Sequence, residues 1–166
     1  MSVFSAVVIA LVPVLKLLRE DTHGFDIVNF EFAGTAVRAE EILAAWQVAG
    51  VVPMAKIIQL FDIVYPALYG SALAGCCLAA GHALRTVGRN CFADASRAMA
   101  WLAFVAAAFD FVENIGLDIA LWFRPTDPLL LVSAVAAGLK FSAILVTFLY
   151  AVIGFGLAAV PRLLGR

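Results

Sequence analysis

The stretch WLAFVAAAFDFVENIGL, residues Trp101–Leu117, places two carboxyl groups and a carboxamide inside an otherwise apolar run. These side chains belong to Asp110, Glu113 and Asn114. A charged residue at the centre of a membrane helix costs about 2.5–3.5 kcal/mol, so it must face a partner or a wet cavity. The run therefore predicts a membrane-spanning helix whose polar side chains point into a helical bundle.

The composition of the whole chain agrees with this prediction. Hydrophobic residues make up 64% of the 166 residues, charged residues make up 14%, and the mean hydropathy is +1.03. Ordinary soluble domains are about half apolar and about a quarter charged. We therefore expect an integral membrane protein with a single membrane domain over residues 1–166. The net charge of −1 offers no basic surface for nucleic acid.

Long apolar segments predict an all-α fold with four transmembrane helices in a bundle. The expected spans are residues 3–18, 51–80, 97–123 and 129–160. The last three exceed the ~20 residues that are needed to cross a bilayer. The first is short, and a signal peptide is its alternative. It lacks a basic leading region and a clean A-x-A site, which favours an uncleaved span.

The polar section at residues 20–50 is expected outside the membrane. Its segment DIVNFEF, residues 26–32, alternates apolar and polar positions, which predicts a short strand or an extended stretch. The segment TAVRAEEILAAWQ, residues 35–47, predicts a short amphipathic helix with Thr35 as its N-cap. Because tryptophan favours membrane interfaces, Trp46 suggests that this helix lies on the membrane or caps the bundle.

The distribution of arginine predicts the orientation. Arg85, Arg89 and Arg97 cluster around the loop between the second and third spans, and Arg162 and Arg166 lie near the C-terminus. The positive-inside rule places both regions in the cytoplasm. We therefore expect a multi-pass protein of the bacterial inner (plasma) membrane with cytoplasmic N- and C-termini, although other basic residues fall on the opposite side.

Ionisable residues of three spans are expected at one depth. Measured from the outer ends of the spans at ~1.5 Å per residue, Asp62 lies ~16 Å deep, Glu113 ~15 Å, Lys140 ~18 Å and Asp110 ~20 Å. The hydrocarbon core is ~30 Å thick, so these positions approach its midplane. The predicted pocket consists of Asp62, Tyr65, Tyr69, Asp110, Glu113, Asn114 and Lys140.

Helical periodicity predicts which faces of two spans are buried. Ser133, Lys140 and Thr147 are seven residues apart and share one stripe of the fourth span, which must face the bundle. In the second span, small residues recur at spacing four and predict close helix packing. That ridge consists of Ala67, Ser71, Gly75 and Ala79. Pro66 predicts a kink next to Tyr65.

Three functions fit this pattern. Three acids outnumber one lysine, so protons, a cation or a cationic ligand must balance the pocket, which favours binding of a small amphipathic molecule or lipid. An accessory or assembly subunit with a purely structural polar network is the first alternative. The second is an intramembrane enzyme on a lipid-soluble substrate, for which Asp62 and Glu113 are the candidate acid and base.

The sequence indicates few other ligands. Cys76, Cys77 and Cys91 show no CxxC spacing and no clustered histidine, so we expect neither a disulfide framework nor a metal site. The cofactor, if any, is unknown. Membrane lipids are expected partners, together with a small amphipathic ligand, a membrane-complex partner or a second copy of the chain.

Several motifs carry a resemblance to a known family. In chain order they read FEFAG, ILAAW, FDIVYPALYG, DFVEN and LKF, over roughly residues 30–150. This pattern resembles a widespread family of small uncharacterised bacterial membrane proteins with four spans and a helical extramembrane section after the first. The resemblance implies that architecture and the motif positions Asp62, Tyr69, Asp110, Glu113, Asn114 and Lys140, but no reaction. Basic residues common before the family's first span are missing here.

Overall fold

The computed structural model describes residues 25–163, with side chains through residue 161, and this part of the chain is helical without a strand. Its seven helices are α1 (Ile27–Glu31), α2 (Ala36–Val48), α3 (Val52–Asp62), α4 (Tyr65–Thr86), α5 (Asn90–Asp94), α6 (Ser96–Trp122) and α7 (Asp127–Leu163). The all-α prediction is therefore confirmed for the described residues.

Three helical stretches are long and apolar enough to cross a membrane. They are Tyr65–Thr86, Asn90–Trp122 and Asp127–Pro161. The last two correspond to the spans predicted at residues 97–123 and 129–160, and the first overlaps the C-terminal half of the span predicted at residues 51–80. The span predicted at residues 3–18 lies outside the described residues.

The chain divides into two compact units. Unit 1 comprises Met1–Asp62 with Glu113–Val135, and unit 2 comprises Ile63–Val112 with Ala136–Arg166. Each unit is described below by itself. The single membrane domain over residues 1–166 stays a prediction.

The span predicted at residues 51–80 is wrong as a continuous helix. Helix α3 ends at Asp62, and α4 begins at Tyr65 with a proline in its first turn. Proline has no backbone N–H, so Pro66 cannot donate the i→i−4 hydrogen bond to the carbonyl of Asp62. The helix is therefore interrupted at the position where a kink was predicted. Of the two helices on either side of the interruption, α4 alone is long and apolar enough to cross a membrane.

The strand predicted over residues 26–32 is also wrong. These residues form α1, because the Asp26 carboxylate accepts hydrogen bonds from the backbone N–H of Asn29 at 3.0 Å and from its side-chain amide at 2.7 Å. N-terminal capping by Asp satisfies donors that a helix start leaves open. This local capping outweighs the alternating pattern.

Helix α2 confirms the predicted amphipathic helix. The Thr35 hydroxyl accepts a hydrogen bond from the N–H of Arg38 at 3.3 Å, as expected of an N-cap. The Asp127 carboxylate accepts a second bond from the N–H of Ala36 at 2.6 Å. Because Asp127 begins α7, this contact ties the start of α2 to the start of α7 within unit 1.

The apolar face of α2 forms the core of unit 1. Ile42 and Trp46 are fully buried together with Phe30, Leu117 and Leu130. The indole N–H of Trp46 donates to the carbonyl of Phe25 at 2.9 Å. Of the two positions left open for α2, capping of other helices agrees with these contacts, because Trp46 packs into this core. A position of α2 on the membrane stays a prediction.

The core of unit 2 is built from small residues, which allow the helix backbones to approach closely. A Cβ on Gly70 would lie 3.0 Å from Cβ of Ala107, and a Cβ on Gly81 would overlap Ser96. The predicted ridge of Ala67, Ser71, Gly75 and Ala79 is instead exposed. Small residues recur at spacing three to four on both faces of α4, so their spacing alone did not identify the packed face.

Replacing Gly81 with alanine should destabilise unit 2. The new Cβ would meet Cβ of Ser96 and lie 3.2 Å from the carbonyl oxygen of Ala93, and neither is the end of a flexible side chain. Such overpacking costs about 1–3 kcal/mol. Thermal unfolding in mild detergent, followed by circular dichroism, measures the loss.

The matched control is Gly75→Ala in the same helix. No atom lies within 4 Å of a Cβ at this position, so the variant should be as stable as the parent or more stable by up to about 1 kcal/mol, the difference in helix propensity. Equal effects of the two substitutions would contradict the close approach at Gly81.

Candidate functional site

One face of α6 carries the polar side chains that the sequence singles out. Asp110, Glu113 and Asn114 are 5%, 0% and 4% exposed. They share a face because residues three and four apart are neighbours on a helix. The prediction that these side chains are buried within the protein is therefore confirmed.

In unit 2, Asp110 forms a buried ion pair with Lys140 of α7. The distance from Nζ to Oδ1 is 3.0 Å, and each side chain is 7% exposed. The ammonium group also lies 4.7 Å from the ring centroid of Phe141. Removal of one partner from such a pair leaves a buried charge uncompensated, which makes the two residues depend on each other.

The contacts of α4 with α7 fix the level of this ion pair within unit 2. The Cys77 thiol donates to the carbonyl of Thr147 at 3.5 Å, and seven residues later in α7 a Cβ on Gly154 would lie 3.0 Å from Cβ of Ala80 and 3.4 Å from Cδ1 of Leu84. Contacts that advance toward the C-terminus in both helices mean that the two run in the same direction. Lys140, which precedes Thr147 by seven residues, therefore lies level with the first half of α4, before Cys77.

Tyr65 and Tyr69 occupy this level of α4. Their ring centroids are 5.4 Å apart, and Tyr69 is buried while Tyr65 is half-buried. The ring of a tyrosine suits an apolar surrounding, and its hydroxyl group is both a donor and an acceptor. Unit 2 therefore holds four of the predicted pocket residues, namely Tyr65, Tyr69, Asp110 and Lys140.

In unit 1, Asn114 bridges two parts of α3. Its Oδ1 accepts a hydrogen bond from Nε2 of Gln59 at 3.1 Å, and its Nδ2 donates to the carbonyl oxygen of Asp62 at 3.0 Å. That carbonyl is the one for which Pro66 supplies no N–H. The amide of Asn114 therefore takes the place of the missing backbone donor at the end of α3.

Gln59 is a site residue that the sequence analysis missed. It is 1% exposed and belongs to the same network as Asn114. The available signal was a lone carboxamide in the apolar stretch KIIQLFD, three residues before Asp62. Spacing of three puts both on one side of α3.

The remaining predicted residues are also located. Glu113 is fully buried in unit 1, and Asp62 is half-buried there. The stripe of Ser133, Lys140 and Thr147 is buried as predicted. The two hydroxyl groups of this stripe donate to carbonyls of their own helix at 3.1 Å and 2.8 Å, so they need no ligand.

The seven predicted residues divide between the units. Asp62, Glu113 and Asn114 belong to unit 1, and the other four belong to unit 2. A single pocket that joins all seven stays a prediction. Among the described side chains, no group of three or more His, Cys, Asp or Glu residues could hold a metal ion, and all three cysteines are free thiols.

Comparison of the chain with protein-family models, with curated proteins and with solved structures gave no match. The resemblance to small bacterial four-span proteins therefore stays a prediction.

Substitution of Lys140 by methionine should strongly destabilise the protein, because the Asp110 carboxylate would lose its buried counter-ion. The expected cost is about 3–5 kcal/mol, and the double variant Asp110→Leu/Lys140→Met should recover most of it. Lys56→Met is the control, since that ammonium lies over the Trp122 ring at 4.2 Å and contributes about 1 kcal/mol or less. Denaturant titration in detergent measures all three; a double variant as unstable as Lys140→Met would contradict mutual dependence.

Substitution of Asn114 by leucine should cost about 1–3 kcal/mol, because it leaves the Gln59 amide and the Asp62 carbonyl without the groups that now bind them. Adding Gln59→Leu should recover only part of the loss, since the carbonyl still lacks its donor. Gln47→Leu on the exposed side of α2 is the control. Full recovery in the double variant would show that the Asp62 carbonyl does not depend on Asn114.

Proposed function

We propose that this protein binds or handles a small amphipathic molecule or lipid within the membrane, at the buried polar groups around α6. The observation that carries the proposal is the buried ion pair of Asp110 and Lys140. Asp110 lies in Asn90–Trp122 and Lys140 in Asp127–Pro161, two of the stretches that are able to cross a membrane.

A buried ion pair is a poor device for stability alone. Desolvation of two charges offsets most of their attraction, and apolar residues of similar volume often stabilise a core equally well. Ionisable residues inside membrane spans commonly mark substrate, ion or proton sites. The Asp110–Lys140 pair therefore supports a role that an apolar pair could not fill.

The neighbours of the ion pair indicate the class of ligand. Tyr69 and Tyr65 lie at the level of Lys140 in unit 2 and offer hydroxyl groups beside aromatic rings. The pair itself offers one anionic and one cationic group to a polar head, and the apolar helices around it suit a hydrocarbon tail. Glu113, the next buried carboxyl along α6, would serve as a proton-titrating or cation-binding group.

The proposal places the protein in the bacterial inner membrane with cytoplasmic N- and C-termini. It is supported by the three stretches that are able to cross a membrane and by the arginine cluster of Arg85, Arg89 and Arg97 at one loop. Binding partners under this proposal are membrane lipids and the amphipathic ligand.

The second candidate is an accessory or assembly subunit whose polar network is purely structural. The specific observation in its favour is Asn114, whose carboxamide oxygen and nitrogen are both taken up by protein groups, Gln59 and the Asp62 carbonyl. Polar contacts of this kind hold membrane helices together without any ligand.

The double variant Asp110→Leu/Lys140→Met separates the two functions, because it removes both charges while filling their volume. Parent and variant are purified in mild detergent, extracted with organic solvent and compared by mass spectrometry. Under the proposal, a small amphipathic compound or lipid species recovered from the parent in near-stoichiometric amount is lost from the variant, while the helical circular dichroism spectrum is kept.

The matched control is Arg38→Met/Glu41→Leu, which removes an ion pair of 2.9 Å whose side chains are 44% and 55% exposed. This control should retain the compound. If parent, variant and control release the same compounds, the binding proposal fails and the structural candidate is favoured.

A further inference from the structure

A polar groove lies in unit 2 where α4 ends and α6 begins. Its volume is about 360 Å³, and it is lined by Leu78, His82, Arg85, Asp94, Ser96 and Arg97. None of these residues belongs to the Asp110–Lys140 pair or its tyrosine neighbours. The groove is therefore independent of the binding site proposed above.

The close approach of Gly81 to Ser96 creates the groove. A side chain at Gly81 would overlap Ser96, so the two backbones come together at this point. His82 follows Gly81 in the chain, and Arg97 follows Ser96. Their side chains are both exposed, and the contact between their neighbours brings them to the same groove.

The charge of the groove is net positive. Arg85 and Asp94 neutralise each other in an exposed pair at 3.2 Å. Among the described side chains, Arg97 and His82 form no ion pair or hydrogen bond that would occupy them. The guanidinium of Arg97 and the imidazole of His82 are donors that suit a phosphate group.

Helix α4 also supplies an apolar approach to these donors. Leu78, His82 and Arg85 are spaced by four and three residues, so they form one stripe that changes from apolar to basic toward the helix end. Leu78 is 50% exposed and lies eight residues before Thr86, about 12 Å inside the end of a stretch able to cross a membrane. An acyl chain would run along Leu78 with its phosphate beside Arg97.

We propose that this groove binds the phosphate group of an anionic phospholipid. Basic pockets between transmembrane helices near a cytoplasmic surface hold such headgroups. The same phosphate chemistry could come from a soluble anion, but a soluble anion would make no use of the apolar stripe at Leu78. The test therefore compares both sources.

The full-length protein in mild detergent is titrated with phosphatidylglycerol and with phosphatidylcholine of the same acyl chains, and bound lipid is counted by native mass spectrometry. Phosphatidylglycerol should bind more tightly than phosphatidylcholine. Arg97→Gln should lower the phosphatidylglycerol affinity about fivefold, as expected for one basic contact to an anionic lipid. His82→Gln should weaken binding in the same direction.

The matched control is Arg89→Gln, which removes an exposed arginine from the same loop but outside the lining of the groove. It should leave the affinity unchanged, and circular dichroism should show that all variants are folded. Three results would each overturn the proposal: equal binding of the two lipids, an equal loss in Arg89→Gln and Arg97→Gln, or displacement of phosphatidylglycerol by millimolar inorganic phosphate.

Discussion

The described structure depends on one requirement of an apolar environment, that every buried backbone polar group needs a partner. Pro66 deprives the Asp62 carbonyl of its helical donor, and Asn114 of α6 supplies a donor instead at 3.0 Å. The other end of the same carboxamide accepts from Gln59. The carbonyl at the interruption is thereby satisfied by one side-chain hydrogen bond, and this bond together with the Gln59–Asn114 bond holds α6 against α3 within unit 1.

The DFVEN motif combines two different kinds of contact on one helix face. Asn114 makes neutral hydrogen bonds to groups that a leucine could not satisfy, whereas Asp110 makes a charged contact to Lys140. The neutral bonds each contribute modestly, about 0.5–1.5 kcal/mol. The ion pair contributes little net stability, because desolvation opposes attraction. Asn114 is therefore best understood as a structural residue, and the Asp110–Lys140 pair as the better candidate for function.

Sequence patterns predicted the parts of the structure that depend on the hydropathy of long segments. The long apolar runs indicated α6 and α7, and helical spacing identified their buried polar faces. Local hydrogen bonds explain the errors: capping by Asp26 produced a helix where alternation predicted a strand, and Pro66 interrupted the second span. Side-chain partners such as Gln59 could not be predicted, because they depend on which residues of other helices come within 3 Å. Spacing of small residues indicated close packing but not the face of α4 that is packed.

The hydrogen bond that closes the interruption after α3 has a consequence for biosynthesis. Asn114 follows Asp62 by 52 residues, and Lys140 follows Asp110 by 30. During synthesis from the N-terminus, Asp62 and Asp110 are therefore made before the residues that satisfy them. Stable packing of the end of α3 must await α6, and burial of the Asp110 charge must await α7, so these helices gain their native contacts together rather than one at a time.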